Sequence, residues 1–399
     1  MKAVILAAGE CTRLRPFTVS EPKVMISVAN KPILQYVVES LVKNGITDII
    51  IVVGYKRRKI MSYFGDGTDF NANIDYVFQR KQPSQGGTAH ALSKAKEKID
   101  EEFLVLPGDN VISEKIIKDL LNGMEKYTLL VTRSATPSKY GVCTLDDSKV
   151  CDLIEKPEKS KSNLISTGIY SFPPEIFEYI EDAMDDRIYD LTTVITRVMK
   201  ENEVKGIITR STWIDAVYPW DLQKVNSAAL QNVPKSMEGI IEDNVMIKGD
   251  VEVGEGTIIR GGTYIEGPVK IGENCDIGPQ ACILPSTSVG DDSKISPFTV
   301  VKNSLLMKGI NVQPSSKIEN SVIGTGVNIG SNFSTYLSDA SIVSEHGLHE
   351  IEDIGCMIAE DTVIGSGVTT ESGVIIGADC RIGSGKVIRE NVATETRVM

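Results

Sequence analysis

Cations, small residues and aspartates fall in this sequence where they could act together on a phosphate. From Leu6 to Lys23 the chain reads L-A-A-G-E-C-T-R-L-R-P-F-T-V-S-E-P-K. Ala7, Ala8 and Gly9 make a small-residue turn, and small side chains let backbone N–H groups come close to an anion. Arg13 and Arg15 follow as permanent cations, and Lys23 stands behind Pro22. This set suits a triphosphate. Without that chemistry it is a strand-to-loop turn with solvated basic residues. Asp109, in L-V-L-P-G-D-N, follows an apolar run, as does Asp215 in W-I-D. A carboxylate delivered to a loop at a strand end is a natural magnesium ligand, and two distant carboxylates could meet at one metal. The alternative is a pair of turn-forming aspartates. Gln82, in Q-P-S-Q-G-G-T-A-H-A, carries both a donor and an acceptor, as a pyrimidine edge requires. Gly86 and Gly87 would let a base lie on the backbone, and Thr88 could open the next helix. A polar turn and an N-cap explain the same residues. His90 falls on that helix and reads as structural.

Positioning such groups requires strands that end in loops. Ala3–Leu6 and Asp48–Val53 are continuous apolar runs, the pattern of strands buried on both faces. Helical spacing runs from Pro32 to Val42 and stops at Gly45; Lys56–Tyr63, Thr88–Lys98 and Glu114–Met124 read as further helices. Ile74–Phe78, Phe103–Leu106 and Leu129–Thr132 read as strands between them. The alternation predicts a mostly parallel sheet covered by helices, whose ligands bind beyond the carboxyl ends of the strands.

With 399 residues, the chain has room for two domains. Its 42 basic and 54 acidic residues give a net charge of −12, and no basic run stands out, which argues against a nucleic-acid partner. The seven cysteines show no C-x-x-C pair, so neither a zinc site nor a disulfide framework is indicated, and thiols of the cytoplasm are the simpler reading. No apolar run reaches membrane-spanning length.

The Leu6–Lys23 stretch resembles the signature of the sugar-1-phosphate nucleotidylyltransferases, L-A-A-G-x-G-T-R-L-x-P followed by P-K. Further segments match in order: the Gln82–Ala91 loop, the G-D of Asp109, Tyr140-Gly141-Val142, Glu155-Lys156-Pro157, Ser166-Thr167-Gly168-Ile169-Tyr170 and the W-x-D of Asp215. The resemblance implies a Rossmann-like nucleotidyltransferase domain over residues 1–232. It implies that Leu6, Ala8, Gly9, Gln82, Gly87 and Thr88 bind the nucleotide, with Gln82 on a uracil or thymine. Arg13 would hold the outgoing pyrophosphate and Lys23 the triphosphate. Asp109 and Asp215 would hold Mg2+, with Asp109 also catalytic. Gly141, Glu155, Lys156 and Thr167 would bind the sugar phosphate. Three positions depart from the family: Cys11 replaces a signature glycine, Ser166 replaces an asparagine, and Ile188–Thr193 lacks the glutamate that relatives carry before L-T-D.

From about residue 239 apolar residues recur every six positions, at Ile241, Ile247, Val253, Ile259, Ile265, Ile271, Ile277, Ile283, Val289, Ile295, Val301 and Met307. The register slips near Val312, resumes at Ile323 and Ile329, breaks between about 335 and 357, and returns at Ile358. Period six predicts a parallel β-helix, three repeats closing one turn. Residues 239–399 resemble the left-handed hexapeptide-repeat domains, which implies a homotrimer or higher homo-oligomer. The full length resembles the archaeal two-domain nucleotidylyltransferase–acetyltransferases. Their acyl-site histidine is replaced here by Pro314, and His346 and His349 read as loop residues. Amino-sugar acetylation is therefore expected to be absent.

The resulting expectation is a cytoplasmic, magnesium-dependent enzyme that joins UTP or dTTP to a hexose-1-phosphate. The alternatives are a bifunctional enzyme that also acetylates glucosamine-1-phosphate, and a non-catalytic scaffold or regulatory subunit.

Overall fold

The computed structural model describes residues 1–80, 86–231, 233–344 and 347–399. Gln82, His346 and Asn232, the end of the first predicted domain, lie outside the described residues. The chain packs as two compact units. The first holds residues 1–10, 22–25 and 33–214; the second holds 11–21, 26–32 and 215–399.

In the first unit a nine-stranded sheet runs in the order Asn73–Phe78, Asp48–Val53, Lys2–Ala7, Phe103–Pro107, Leu164–Phe172, Thr128–Arg133, Lys205–Ile208, Lys149–Glu155, Gly141–Asp146. The first four strands are parallel. Ala3 and Ile5 face one cluster, with Leu34 and Val37 from the helix Ile33–Lys43, while Val4 faces the other, with Leu92 and Ile176. Burial on both faces is why these strands read as unbroken apolar runs. Beyond Phe103–Pro107 the expected parallel pattern becomes mixed: Leu164–Phe172 joins it antiparallel, the hairpin Gly141–Asp146/Lys149–Glu155 is antiparallel to its neighbours, and Lys205–Ile208 runs parallel to Thr128–Arg133. A connection of two residues, with Asp147 at φ 51°, has no room for a crossover helix and forces an antiparallel pair.

The second unit is the left-handed parallel β-helix that the repeats predict. Each turn lays one strand on each of three sheets of eight, nine and eight strands. Inward residues stack in columns, as in Val253–Ile271–Val289 and Ile259–Ile277–Ile295. Twice the repeat shortens to five residues. The partner stacked on Val289 is Leu306 rather than the expected Met307, and the next in that column is Ile323. The shortened corners carry Asn303 and Asn320 in left-handed conformation, and Asn303 Nδ2 donates to Asn320 Oδ1 at 2.8 Å. Asparagine tolerates that conformation better than most residues.

The break in the repeats is an antiparallel hairpin, Ser338–Ser344 with Gly347–Ile354. His349, expected in a loop, sits on its second strand opposite Ile342, and its ring lies 4.4 Å from Tyr218 and 5.2 Å from Trp220. The helix Asp221–Leu230 belongs to this unit and packs on the outer face of the first sheet at Thr287–Val289 and Leu305–Leu306, where Ser288 and Leu305 are buried although they point away from the prism interior. Among the described residues all seven cysteines are free, and no helix is long and apolar enough to cross a membrane.

Candidate active site

Two backbone approaches shape the first loop. Ala8 C=O accepts from Tyr55 N–H at 3.1 Å, and Leu6 C=O accepts from Gly108 N–H at 2.9 Å. The second bond ties the strand that leads into Gly9 to the strand end that carries Asp109. A Cβ on Gly54 would lie 2.7 Å from Ala8 O, so only glycine permits this packing. Lys23 then meets Asp109: Nζ lies 2.6 Å from Oδ2, although 86 residues separate them.

Beyond this point the signature enters the second unit. Arg13 lies in the short helical turn Thr12–Leu14, which Cys11 precedes at φ 50° and ψ 56°. The glycine of the family motif is therefore replaced at a left-handed position, which a Cβ makes unfavourable. Thr18 Oγ1 donates to Cys11 O at 3.0 Å and holds the bend. The strand Trp213–Asp215 pairs with Asn110–Ile112, and the division between the units falls after Ile214.

The glycine loop is clasped by the segment Ile188–Thr193, which the sequence marked only as a departure from the family. Ala89 N–H donates to Tyr189 O at 2.9 Å, and Leu191 N–H donates to Thr88 Oγ1 at 2.9 Å. A Cβ on Gly87 would stand 2.2 Å from Tyr189 O. Thr88 opens the helix Thr88–Ser93 as expected, and His90 on it is buried, 3.0 Å from the Gln79 amide.

The same segment continues to the sugar motifs. Asp190 caps the helix Leu191–Val198 by accepting from Thr193 N–H at 2.7 Å, which turns Thr192 toward Glu155. Thr192 Oγ1 donates to Glu155 Oε2 at 2.9 Å, and Lys156 Nζ lies 2.9 Å from Glu155 Oε1. Gly141 is the strand partner of Glu155, and a Cβ there would press on the carboxylate at 3.3 Å. Lys156 is held at φ 43°, its N–H donating to Tyr140 O at 3.0 Å. A non-glycine residue persists there only where its surroundings over-determine it.

Thr167 is buried, and its hydroxyl donates inside the sheet to Leu130 O at 2.8 Å. Its carbonyl accepts from Trp213 Nε1 at 3.1 Å, and the Trp213 ring meets Tyr140 edge to face at 5.4 Å. Ser166 Oγ lies 3.1 Å from Tyr170 OH, whose pKa is pushed up to about 12, chiefly by burial. That phenol stays neutral at ordinary pH.

Lys23 and Asp109 are thus brought together, as are Gly141, Glu155 and Lys156, and Gly87 with Thr88. Tyr189 and Thr192 join the last two groups. Their segment, Ile188–Thr193, was noted only as a departure from the family, and their roles in these contacts were missed; the capping pattern Asp190-Leu191-Thr192-Thr193 is a second sequence trace of it.

Residues 2–232 match the nucleotidyl transferase family, residues 265–349 the GMPPB C-terminal domain, and residues 355–390 the bacterial transferase hexapeptide repeats. The chain is 37% identical to the bifunctional protein GlmU of Methanocaldococcus jannaschii, over 100% of this chain and 97% of that protein. It is 35% identical to the bifunctional sugar-1-phosphate nucleotidylyltransferase/acetyltransferase of Sulfurisphaera tokodaii, over 98% of each. Among solved structures it resembles a putative glucose-1-phosphate thymidylyltransferase from Bacillus anthracis, with TM-score 0.53 and 26% identity, over 59% of this chain and 98% of that one.

Proposed function

The chain belongs to the nucleotidyl transferase family, and from that premise we propose that it transfers a nucleotidyl group from UTP or dTTP to a hexose-1-phosphate, releasing pyrophosphate. The observation that carries this reading is the pair formed by buried Lys23 and half-buried Asp109, 2.6 Å apart at the end of a parallel strand. A cation held ready beside a carboxylate suits a reaction in which phosphate charge is redistributed.

The acceptor phosphate is already an anion, so its oxygen attacks the α-phosphorus without a strong base, and catalysis is alignment and charge neutralisation. Lys23 and Arg13 bind the triphosphate and the departing pyrophosphate. Lys156 binds the sugar phosphate and Glu155 a sugar hydroxyl, its carboxylate oriented by Thr192. Gly87 and Thr88 carry the base loop, with Gln82 as the reader of the pyrimidine.

Asp109 and Asp215 are the candidate magnesium ligands. Among the described residues no cluster of three or more acidic, histidine or cysteine ligands exists. That suits magnesium, which takes one or two carboxylates and completes its shell with water and substrate phosphates. Once bound, it would neutralise phosphate charge.

A screen of pyrophosphate release across nucleoside triphosphates and hexose-1-phosphates, with and without magnesium, tests the reading. Turnover with UTP or dTTP that needs magnesium is expected. Comparable efficiency with ATP or GTP would refute the base assignment, and no turnover with any pair would refute the reaction.

A second reading, acetylation of an amino-sugar phosphate by the repeat unit, is favoured by the bifunctional full-length relatives. Pro314, which has no basic group, stands against it. Coenzyme A release with glucosamine-1-phosphate decides between them. Assembly through the repeats, as a trimer, is tested by light scattering on the full chain.

A further inference from the structure

The segment after Lys23 forms a two-residue hairpin, Ser27–Val28 against Lys31–Pro32, and its tip residues Ala29 and Asn30 both have left-handed φ, 45° and 61°. Alanine takes that conformation only when something holds it there. What holds it is Asn226, on the helix Asp221–Leu230. Ala29 N–H donates to Asn226 Oδ1 at 2.8 Å, and Ser288 Oγ donates to the same oxygen at 2.7 Å. Asn226 Nδ2 donates to Ser286 O at 3.4 Å, and Asn30 Nδ2 donates to Val289 O at 2.8 Å. Asn226 and Ser288 are both fully buried. An amide oxygen has two lone pairs, and both are used here. Ser286, Ser288 and Val289 lie on or beside the β-helix strand Thr287–Val289. The hairpin, its asparagine and that strand all belong to the second unit, as does the Cys11–Glu21 stretch that carries Arg13.

We infer that Asn226 is a positioning residue for the nucleotide substrate: it ties the strained hairpin that closely follows Lys23 to the strand Thr287–Val289 and so fixes the course of the chain just after Lys23. This rests on the nucleotidyl-transfer reading above. Lys23 stands just before the hairpin, whereas the sugar-side residues Glu155 and Lys156 make none of these bonds. Its loss therefore acts on one substrate. Removing the amide leaves the Ala29 N–H and the Ser288 hydroxyl buried without an acceptor, and the hairpin tip is released from its left-handed turn.

The test is made on the full chain. Asn226→Leu is expected to raise KM for the nucleoside triphosphate about 10- to 100-fold, the order of effect of a misplaced binding group, with KM for the sugar phosphate unchanged. Asn226→Asp keeps the acceptor oxygen but buries a carboxylate and sets an oxygen against Ser286 O, so it should recover little of the loss. Asn30→Gly keeps the left-handed turn and deletes only the bond to Val289, so it provides a folded variant with a smaller shift in the same direction. Hydrogen exchange of residues 26–32, measured without substrate, should quicken in Asn226→Leu and Asn30→Gly. Equal rises in both KM values, or faster exchange with an unchanged nucleotide KM, would overturn the inference. A wild-type chain that transfers no nucleotide would instead overturn the reading on which it rests.

Discussion

Lys23 Nζ lies 2.6 Å from Asp109 Oδ2, and the lysine is the more buried partner, its side chain 5% exposed against 29% for the aspartate. The two substitutions are therefore unequal. Asp109→Ala removes one charged acceptor from a buried ammonium and should cost roughly 1.5–3 kcal/mol of stability. Lys23→Met keeps the apolar stem and leaves a carboxylate that water can reach, so it should cost less. Both should lower pyrophosphate release by about 10²–10³-fold, as loss of a preorganised charge does. Calorimetry and single-turnover kinetics on the pair check this; a Lys23→Met chain less stable than Asp109→Ala would reverse the assignment of the costly partner.

Gly87 and Gly86 should separate cleanly. A Cβ on Gly87 meets Tyr189 O at 2.2 Å, whereas one on Gly86 meets nothing within 4 Å. Gly87→Ala must push the 189–191 segment away, at a cost of about 1–3 kcal/mol. Because that segment also carries Thr192, both nucleotide and sugar-phosphate affinity should weaken. Gly86→Ala should leave stability within about 0.5 kcal/mol of the parent. Equal melting temperatures for the two variants would count against the clasp.

Cys11 sits at φ 50° where the family signature has glycine. The left-handed conformation costs a residue with a Cβ about 1–2 kcal/mol, and glycine's larger unfolded entropy returns part of that. Cys11→Gly is expected to stabilise the chain by roughly 0.5–1 kcal/mol, seen as a rise in Tm. A fall in Tm would show that the thiol makes a compensating interaction.

Alkaline pH should destabilise the fold through buried acids that must stay neutral. Burial pushes the Cys143 thiol and the Tyr170 phenol up to about 12, and the Cys275 and Cys356 thiols to about 11. Their ordinary values are 9.0 for the thiols and 10.0 for the phenol. A raised folded-state pKa means that the folded chain binds the proton more tightly. The stability contribution is thus complete below about pH 9 and is lost as pH climbs toward 11 and 12. Urea unfolding under reducing conditions should give a flat midpoint from pH 7.5 to 8.5 and a falling one above 9. A midpoint that rises over the alkaline range would contradict the sign.

Much of the architecture was legible in local pattern. Asp48–Val53 is apolar throughout because both its faces are buried, and a strand of that kind announces itself without knowledge of its neighbours. The period of six from Val253 onward has one geometric solution, a three-sided coil, so the β-helix could be read from spacing alone. Lys23 could be read as a cation and Asp109 as a carboxylate placed after an apolar run, whereas Glu155 and Lys156 were visible only through the resemblance to the family's E-K-P motif.

Other features depended on three-dimensional packing. Leu305, Leu306 and Met307 are adjacent and all apolar, so hydrophobicity could not choose which faces inward; the left-handed corner at Asn303 selected Leu306. Beyond Phe103–Pro107 the pairing is mixed: the short hairpin Gly141–Asp146/Lys149–Glu155 and the long-range strand Leu164–Phe172 bring antiparallel pairs, while Lys205–Ile208 still runs parallel to Thr128–Arg133. Tyr189 and Thr192 act through a backbone carbonyl and a hydroxyl on partners reached only by folding, and Asn226 binds Ala29 across 197 residues. A carbonyl is the same in every residue, and one asparagine in a helix looks like any other. The sequence alone determined which side chains could do the chemistry. The tertiary structure decided which generic polar atoms hold them, because those atoms gain their role from burial and proximity rather than from their identity.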